Sequence, residues 1–364
     1  MKYLDEYRAR EQAQGILGRI REISKRPVNI MEICGTHTHA ISRYGIRQAL
    51  PPNIRLISGP GCPVCVTSAG DINRIIAFSR ARPDVIIATF GDMLRVPGSN
   101  SSLQEERAAG GDIRVVYSPL NALDFARTNP EKEVVIYAVG FETTAPTVAA
   151  TILQAHTEAI KNLSVLSLHK LTPPAMKALL DSGGAVIDGF ICPGHVTAII
   201  GAKAYGFLAD DYHAACVVAG FEPLDAIFGI YMLISQLEAG RAEIEIQYDR
   251  VVTWDGNRRA QAIIAEVYEP CDSTWRGVGM IPGSGLAIRQ AYAQYDALRR
   301  FEIPAGDETE PAGCRCGEVL KGMIAPPECP LFGRACNTER PVGPCMVSSE
   351  GTCAAYYKYR SITV

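Results

Sequence analysis

The 364-residue chain is long enough for two or three domains and a sizeable core. Its apolar share of 47% and charged share of 21% are ordinary for a soluble globular fold, and a net charge of −3 without a basic stripe gives nucleic acid no footprint. The greasiest stretch, 214–237, is broken by Glu222, Pro223 and Asp225, so it reads as a strand and a buried helix rather than a membrane span.

In chain order, residues 1–26 form a charged, amphipathic helix with no secretory pattern. Strands are expected at 28–33, 54–58, 84–90 and 113–117, with helices at 40–50, 71–82 and 101–111 between them. A second set of strands follows at 133–140, 163–168, 188–194 and 214–220, with helices at 144–161, 173–182, 197–207 and 223–239. Near-continuous apolar strands separated by helices indicate parallel sheets covered on both faces. The expected fold is therefore α/β. Two similar units, 28–130 and 131–240, would turn the C-terminal edges of their strands to a common cleft, with a separate metal module after them. Residues 241–364 are assigned to that third region. It holds a strand at 243–249, a helix at 257–268, a Pro-, Gly- and acid-rich linker at 302–313 and a tail with little periodicity, against which the N-terminal helix would pack.

Cysteine is the unusual component. Twelve occur in a chain that reads as cytoplasmic, where structural disulfides are disfavoured, so metal or redox chemistry is expected of them. Cys314, Cys316, Cys329, Cys336, Cys345 and Cys353 all fall in the last 51 residues, without paired CxxC knuckles. Four of them would suit a zinc ion or an iron–sulfur cube, with two left over.

Three strand-to-helix junctions carry further chemistry. In "CGTHTHA", Cys34 ends the first strand, where the dipole of the following helix favours a thiolate, and His37 and His39 add proton donors or ligands. In "GPGCPVCVT", Cys62 and Cys65 follow the second strand in a short exposed turn. The pair suits redox cycling, or half of a zinc site completed by Cys34 and a histidine. In "GFETTAPT", Glu142, Thr143 and Thr144 either cap the next helix or face the thiols across the cleft. "CPGHV" puts His195 at a similar strand end, as a loop histidine or as a cleft residue. "GVGMIPGSG" has the wrong spacing for a dinucleotide loop, and no Walker A sequence is present.

With "CGTHTHAI", "GPGCPVCVT", "GFETTAPT", "CPGHV" and "GPCMVSSEGTCAAYYKY" in view, the chain resembles the HypD family of nickel–iron hydrogenase maturation factors over essentially its whole length. The resemblance implies a scaffold on which the Fe(CN)₂CO unit of the hydrogenase is assembled with a HypC-type chaperone and with HypE. The protein itself would be a monomer when alone. It also implies a [4Fe–4S] cluster on Cys314, Cys329, Cys336 and Cys353, with Cys316 and Cys345 as an extra thiol pair. Cys34 would bind the transient iron. The family is similar to ferredoxin:thioredoxin reductase in setting a cluster near redox thiols. Two other functions compete with the scaffold: an iron–sulfur thiol–disulfide oxidoreductase, and a binding protein with structural zinc only.

Overall fold

The computed structural model describes residues 9–360. All nine expected strands form: β1 (Val28–Glu32), β2 (Ile54–Ser58), β3 (Ile86–Thr89), β4 (Ile113–Val115), β5 (Val134–Gly140), β6 (Leu163–His169), β7 (Gly189–Pro193), β8 (Ala215–Ala219) and β9 (Ile244–Ile246). Apart from β4 and β9 at the sheet edges they are buried along most of their length, as parallel strands covered on both faces must be.

Strand pairing departs from the expected consecutive units. One parallel sheet has the order β2-β1-β7-β8-β9, and the other β4-β3-β5-β6. In the first, Ile30 pairs with both Leu56 of β2 and Gly189 of β7. The chain starts one sheet, leaves to build the second, and returns to finish the first. The boundaries 28–130 and 131–240 are therefore not those of the sheets. Apolar periodicity marks a strand but not its neighbour, because these strands are all short and apolar.

The region after residue 241 is also divided. β9 joins the first sheet. The helix Arg258–Val267 packs on the helix Ala145–Thr157, and the antiparallel hairpin β10 (Tyr268–Trp275) and β11 (Gly279–Ile288) packs against β6. Val267, Tyr268, Leu286 and Ile288 thereby share a core with β3, β5 and β6. The cysteine-rich tail is not coreless: Val319, Leu320, Met346, Val347 and Ala354 merge with the core around Cys62, Cys65 and Trp275.

The N-terminal helix, Arg10–Ile23, does not pack on that tail. Leu17 and Ile20 are buried among β1, β2 and the helix Pro223–Glu238. The first sheet has an apolar face to cover on this side, and Leu17 and Ile20 supply part of the cover. Among the described residues no helix is long and apolar enough to cross a membrane.

Candidate functional site

The C-terminal ends of both sheets open into one cleft of about 470 Å³. Cys34, Gly61, Phe141, Thr144, His195 and Glu350 are among its lining residues. They come from the ends of β1, β2, β5 and β7 and from the tail. Ligand sites of open α/β sheets collect at such an edge.

Cys34 has extended backbone angles (φ −161°, ψ 124°) and is the residue before the helix Gly35–Arg43. That helix begins five residues earlier than its apolar spacing suggests, because Gly35 and Thr36 turn at once after the strand. Only 8% of Cys34 is exposed. Burial pushes its thiol up to about 12, with the Glu350 carboxylate adding to the shift, and the backbone N–H groups of His37 and Thr36 opposing it. The helix terminus acts as expected but loses to desolvation.

Gly61 brings the second thiol segment against the first. Its carbonyl accepts the Gly35 N–H at 2.9 Å. A Cβ at Gly61 would overlap the backbone N and Cα of Cys34. Gly61→Ala is expected to cost about 3 kcal/mol, the upper range for overpacking a filled site, read as a lowered denaturant midpoint. An unchanged midpoint would show that the two loops are free to separate.

Cys62 and Cys65 are joined as a disulfide, with Cα atoms 5.2 Å apart. The expectation of an exposed turn is corrected: the two residues are 3% and 0% exposed. The apolar residues Val64 and Val66 draw the short helix Pro63–Val66 into the core. Their pairing also removes the zinc arrangement of Cys34, Cys62, Cys65 and a histidine. The Cys65 Sγ lies 4.0 Å from the carbonyl oxygen of Pro344, the residue before Cys345.

The two histidines after Cys34 face away from the cleft. His37 is fully buried, its Nε2 is 2.9 Å from the Gly220 carbonyl oxygen, and its ring stacks on Phe221. Burial lowers its pKa to about 4, so the ring is neutral and donates through Nε2. His39 sits edge-on to Tyr359, with Nε2 3.1 Å from the phenol oxygen. His195 does line the cleft and also stacks on Phe221, at a centroid distance of 3.9 Å.

Glu142, Thr143 and Thr144 divide similarly. The threonines line the cleft, and Thr144 makes no side-chain cap bond. Glu142 is 2% exposed and turns inward, where Oε1 accepts the Thr172 N–H at 2.7 Å and Oε2 the Thr172 hydroxyl at 2.9 Å. It thus holds the start of the helix Thr172–Asp181. Burial raises its pKa to about 7. Between pH 4.5 and 7 the unfolded chain releases this proton and the fold retains it, so stability falls with rising pH through that window. Glu142→Gln should remove the fall, worth up to about 3 kcal/mol. Urea midpoints at pH 5 and 8 read it. An equal loss between the two pH values in parent and variant would remove Glu142 as the cause.

All six tail cysteines line one apolar chamber, closed by Leu331, Phe332 and Met346 among others. Burial pushes Cys314 up to about 12, and the neighbouring thiols of Cys316, Cys329 and Cys353 contribute. The Val342 N–H donates to Cys336 Sγ at 3.3 Å. A Cβ at Gly343 would stand 2.7 Å from Cys314 Sγ, inside the chamber. Among the described residues no three His, Cys, Asp or Glu side chains converge on a single-ion position. The Sγ atoms of Cys316 and Cys345 are 2.6 Å apart. The hydrogen bond with Cys345 holds Cys316 below the ordinary thiol range, helped by the Arg276 guanidinium.

Three residues were not singled out from the sequence. Arg276 is 3% exposed, donates Nε–H to Thr67 O at 2.9 Å and pairs with Glu310. Glu32 is fully buried and accepts the Thr38 hydroxyl at 2.6 Å and the Cys34 N–H at 3.3 Å. Glu350 accepts the Thr36 hydroxyl at 2.8 Å, closing the tail over Gly35. A lone Glu in a strand or loop gives no pattern to find. Only the junction motifs beside Glu32 and Glu350 pointed to their neighbourhood.

Comparison with known proteins decides the family. The family model described as "HypD: Hydrogenase formation hypA family" matches residues 11–360. The chain belongs to the HypD family. It is 48% identical over 368 residues to the hydrogenase maturation factor HypD of Azotobacter vinelandii, covering 99% of this chain and 97% of that one. It is 47% identical over 369 residues to HypD2 of Bradyrhizobium diazoefficiens, with the same two coverages. Identity to HypD of Escherichia coli is 45% over 370 residues, covering 99% and 98%. This member of the family is thus a hydrogenase maturation factor.

Proposed function

We propose that this HypD-family protein is the scaffold on which the Fe(CN)₂CO unit is assembled, together with a HypC-type chaperone and HypE. One observation carries the reading. A single free thiol, Cys34, stands in a cleft between two sheet edges, and the loop of the Cys62–Cys65 disulfide is packed against its backbone. Low-spin iron bearing cyanide and CO takes soft donors, and Cys34 offers one to this cargo. The thiol gives up its proton when the cation binds, since burial holds it protonated otherwise. Glu350 places negative charge at the same cleft. The other side of the cleft is left to a partner protein's cysteine.

The six-thiol chamber fits a [4Fe–4S] cluster. Its donors are cysteine sulfurs, its walls are apolar, and Gly343 leaves space that a side chain would fill. Cys314, Cys329, Cys336 and Cys353 would hold the cluster, which when bound supplies single electrons. Cys316 and Cys345 remain as a dithiol, adjoining the Cys62–Cys65 disulfide through Pro344. This arrangement supports thiol–disulfide exchange between the tail and the cleft. Burial of the disulfide argues against the alternative of an oxidoreductase acting on protein disulfides, because a protein substrate has no access to it.

The test is infrared spectroscopy of the anaerobic complex with the HypC-type chaperone. Cyanide and CO bands on co-purified iron are expected, and their absence from an iron-loaded complex would overturn the scaffold reading. The disulfide has its own test. After acid quenching and unfolding, alkylation should leave Cys62 and Cys65 both unmodified in the oxidised protein and both modified after mild reduction. Modification of one alone would remove the pair from the redox scheme.

A further inference from the structure

A second groove, of about 610 Å³, opens beside the tail. Its lining includes His39, Arg95, Lys358 and Arg360, with Asp92 as the acidic side chain among the lining residues. Asp92 is already engaged by Arg95 at 3.4 Å. Arg95 also donates to the Val347 carbonyl at 3.3 Å, which fixes its guanidinium at the edge of the tail. Arg360 lies against the Tyr357 ring at 4.5 Å, and Tyr359 positions His39. The groove is therefore cationic on a chain whose net charge is −3.

Its floor gives it a direction. Met346 lines both this groove and the six-thiol chamber, and Ala354, next to Cys353, lines the groove. Met346 is thus a wall common to the groove and the chamber. The groove and the cleft at Cys34 share no lining residue, and Ser349 of the groove adjoins Glu350 of the cleft along the tail.

We propose that this groove is the docking site for an acidic, low-potential one-electron carrier protein, which delivers electrons to the chamber through the Met346 wall. The inference rests on the reading that the chamber holds a cluster. Each encounter oxidises the carrier by one electron and reduces the cluster by one. Reduction of one disulfide to two thiols takes two encounters and two protons from solvent. His39, which serves neither Cys34 nor the chamber, belongs to the rim of this surface. Charge complementarity selects an acidic partner, and the proximity of the chamber selects an electron carrier over other acidic proteins.

The experiment uses an acidic [2Fe–2S] ferredoxin as the probe, with Lys358→Glu/Arg360→Glu as the test variant. Both side chains are exposed, so their reversal leaves the core untouched. Binding is measured calorimetrically with the gallium-substituted ferredoxin, which needs no cluster in the acceptor. Reduction is followed by stopped-flow absorbance with the reduced ferredoxin. At low salt, charge reversal should weaken binding and slow reduction by about tenfold or more, the usual size of a steering effect. Added salt should slow the parent and leave the variant nearly unchanged. Reduced methyl viologen, a small cation, should reduce the variant at least as fast as the parent. Parental affinity and rate in the variant would overturn the docking site. Absence of iron and sulfide from the parent would instead overturn the cluster reading, while the gallium arm still decides whether the groove binds the acidic carrier.

Discussion

Cys34→Ala is expected to abolish the cyanide and CO infrared bands of the complex with the HypC-type chaperone, while the protein stays folded and keeps its tail iron and sulfide. The side chain lines the cleft and contributes little to the core, so its loss leaves only a small cavity. The backbone at residue 34 does the structural work: its extended angles start the helix and its N–H and Cα seat Gly61. Cys34→Ser should lose nearly as much signal, because a hydroxyl is a harder and less acidic donor. Neither His37 nor His39 is placed to take over, since one is bonded to Gly220 and the other to Tyr359. Bands of normal intensity in Cys34→Ala would move the ligand role to Cys62 and Cys65 after reduction of their disulfide.

Cys329→Ala is expected to lose the tail cluster and to loosen the tail around it. Cys329 is 8% exposed and lines the same chamber as the other five thiols. The segment between residues 321 and 351 contains only single-turn elements, so a bound cluster would supply much of its order. The loss should be on the order of 5 kcal/mol of local stability. It is read as rapid proteolysis in the tail with the two sheets still resistant. The sheets resist because the first sheet and one face of the second have cores that contain no tail residue. A Cys329→Ala protein with full iron, sulfide and absorbance would remove Cys329 from the ligand set.

The strands were legible because each is a short apolar run between turn residues, and β2 has the expected bounds, 54–58. Their order was not legible. Nothing in "VNIME" distinguishes β7 as its neighbour from β3, and the pairing is settled by which helices cover which face. The junctions carrying Cys34, Thr144 and His195 were found by chemistry, and the shared sheet edge brings them to one cleft together with Gly61 and Pro63, which flank the buried Cys62. Glu142 was misplaced because a carboxylate after a strand reads alike whether it caps its own helix or, as here, the start of the helix at Thr172. His39 was misplaced by helix geometry. Two residues after His37 on a helix, it points to a different side, toward Tyr359.

The central claim is that Cys34 holds a single low-spin iron apart from the tail cluster. Mössbauer spectroscopy of the ⁵⁷Fe-enriched complex with the HypC-type chaperone tests it most directly. The account predicts two iron environments, a cluster and a separate low-spin site, with only the second lost in Cys34→Ala. A complex that gives infrared bands of cyanide and CO yet keeps both iron environments in Cys34→Ala would contradict it.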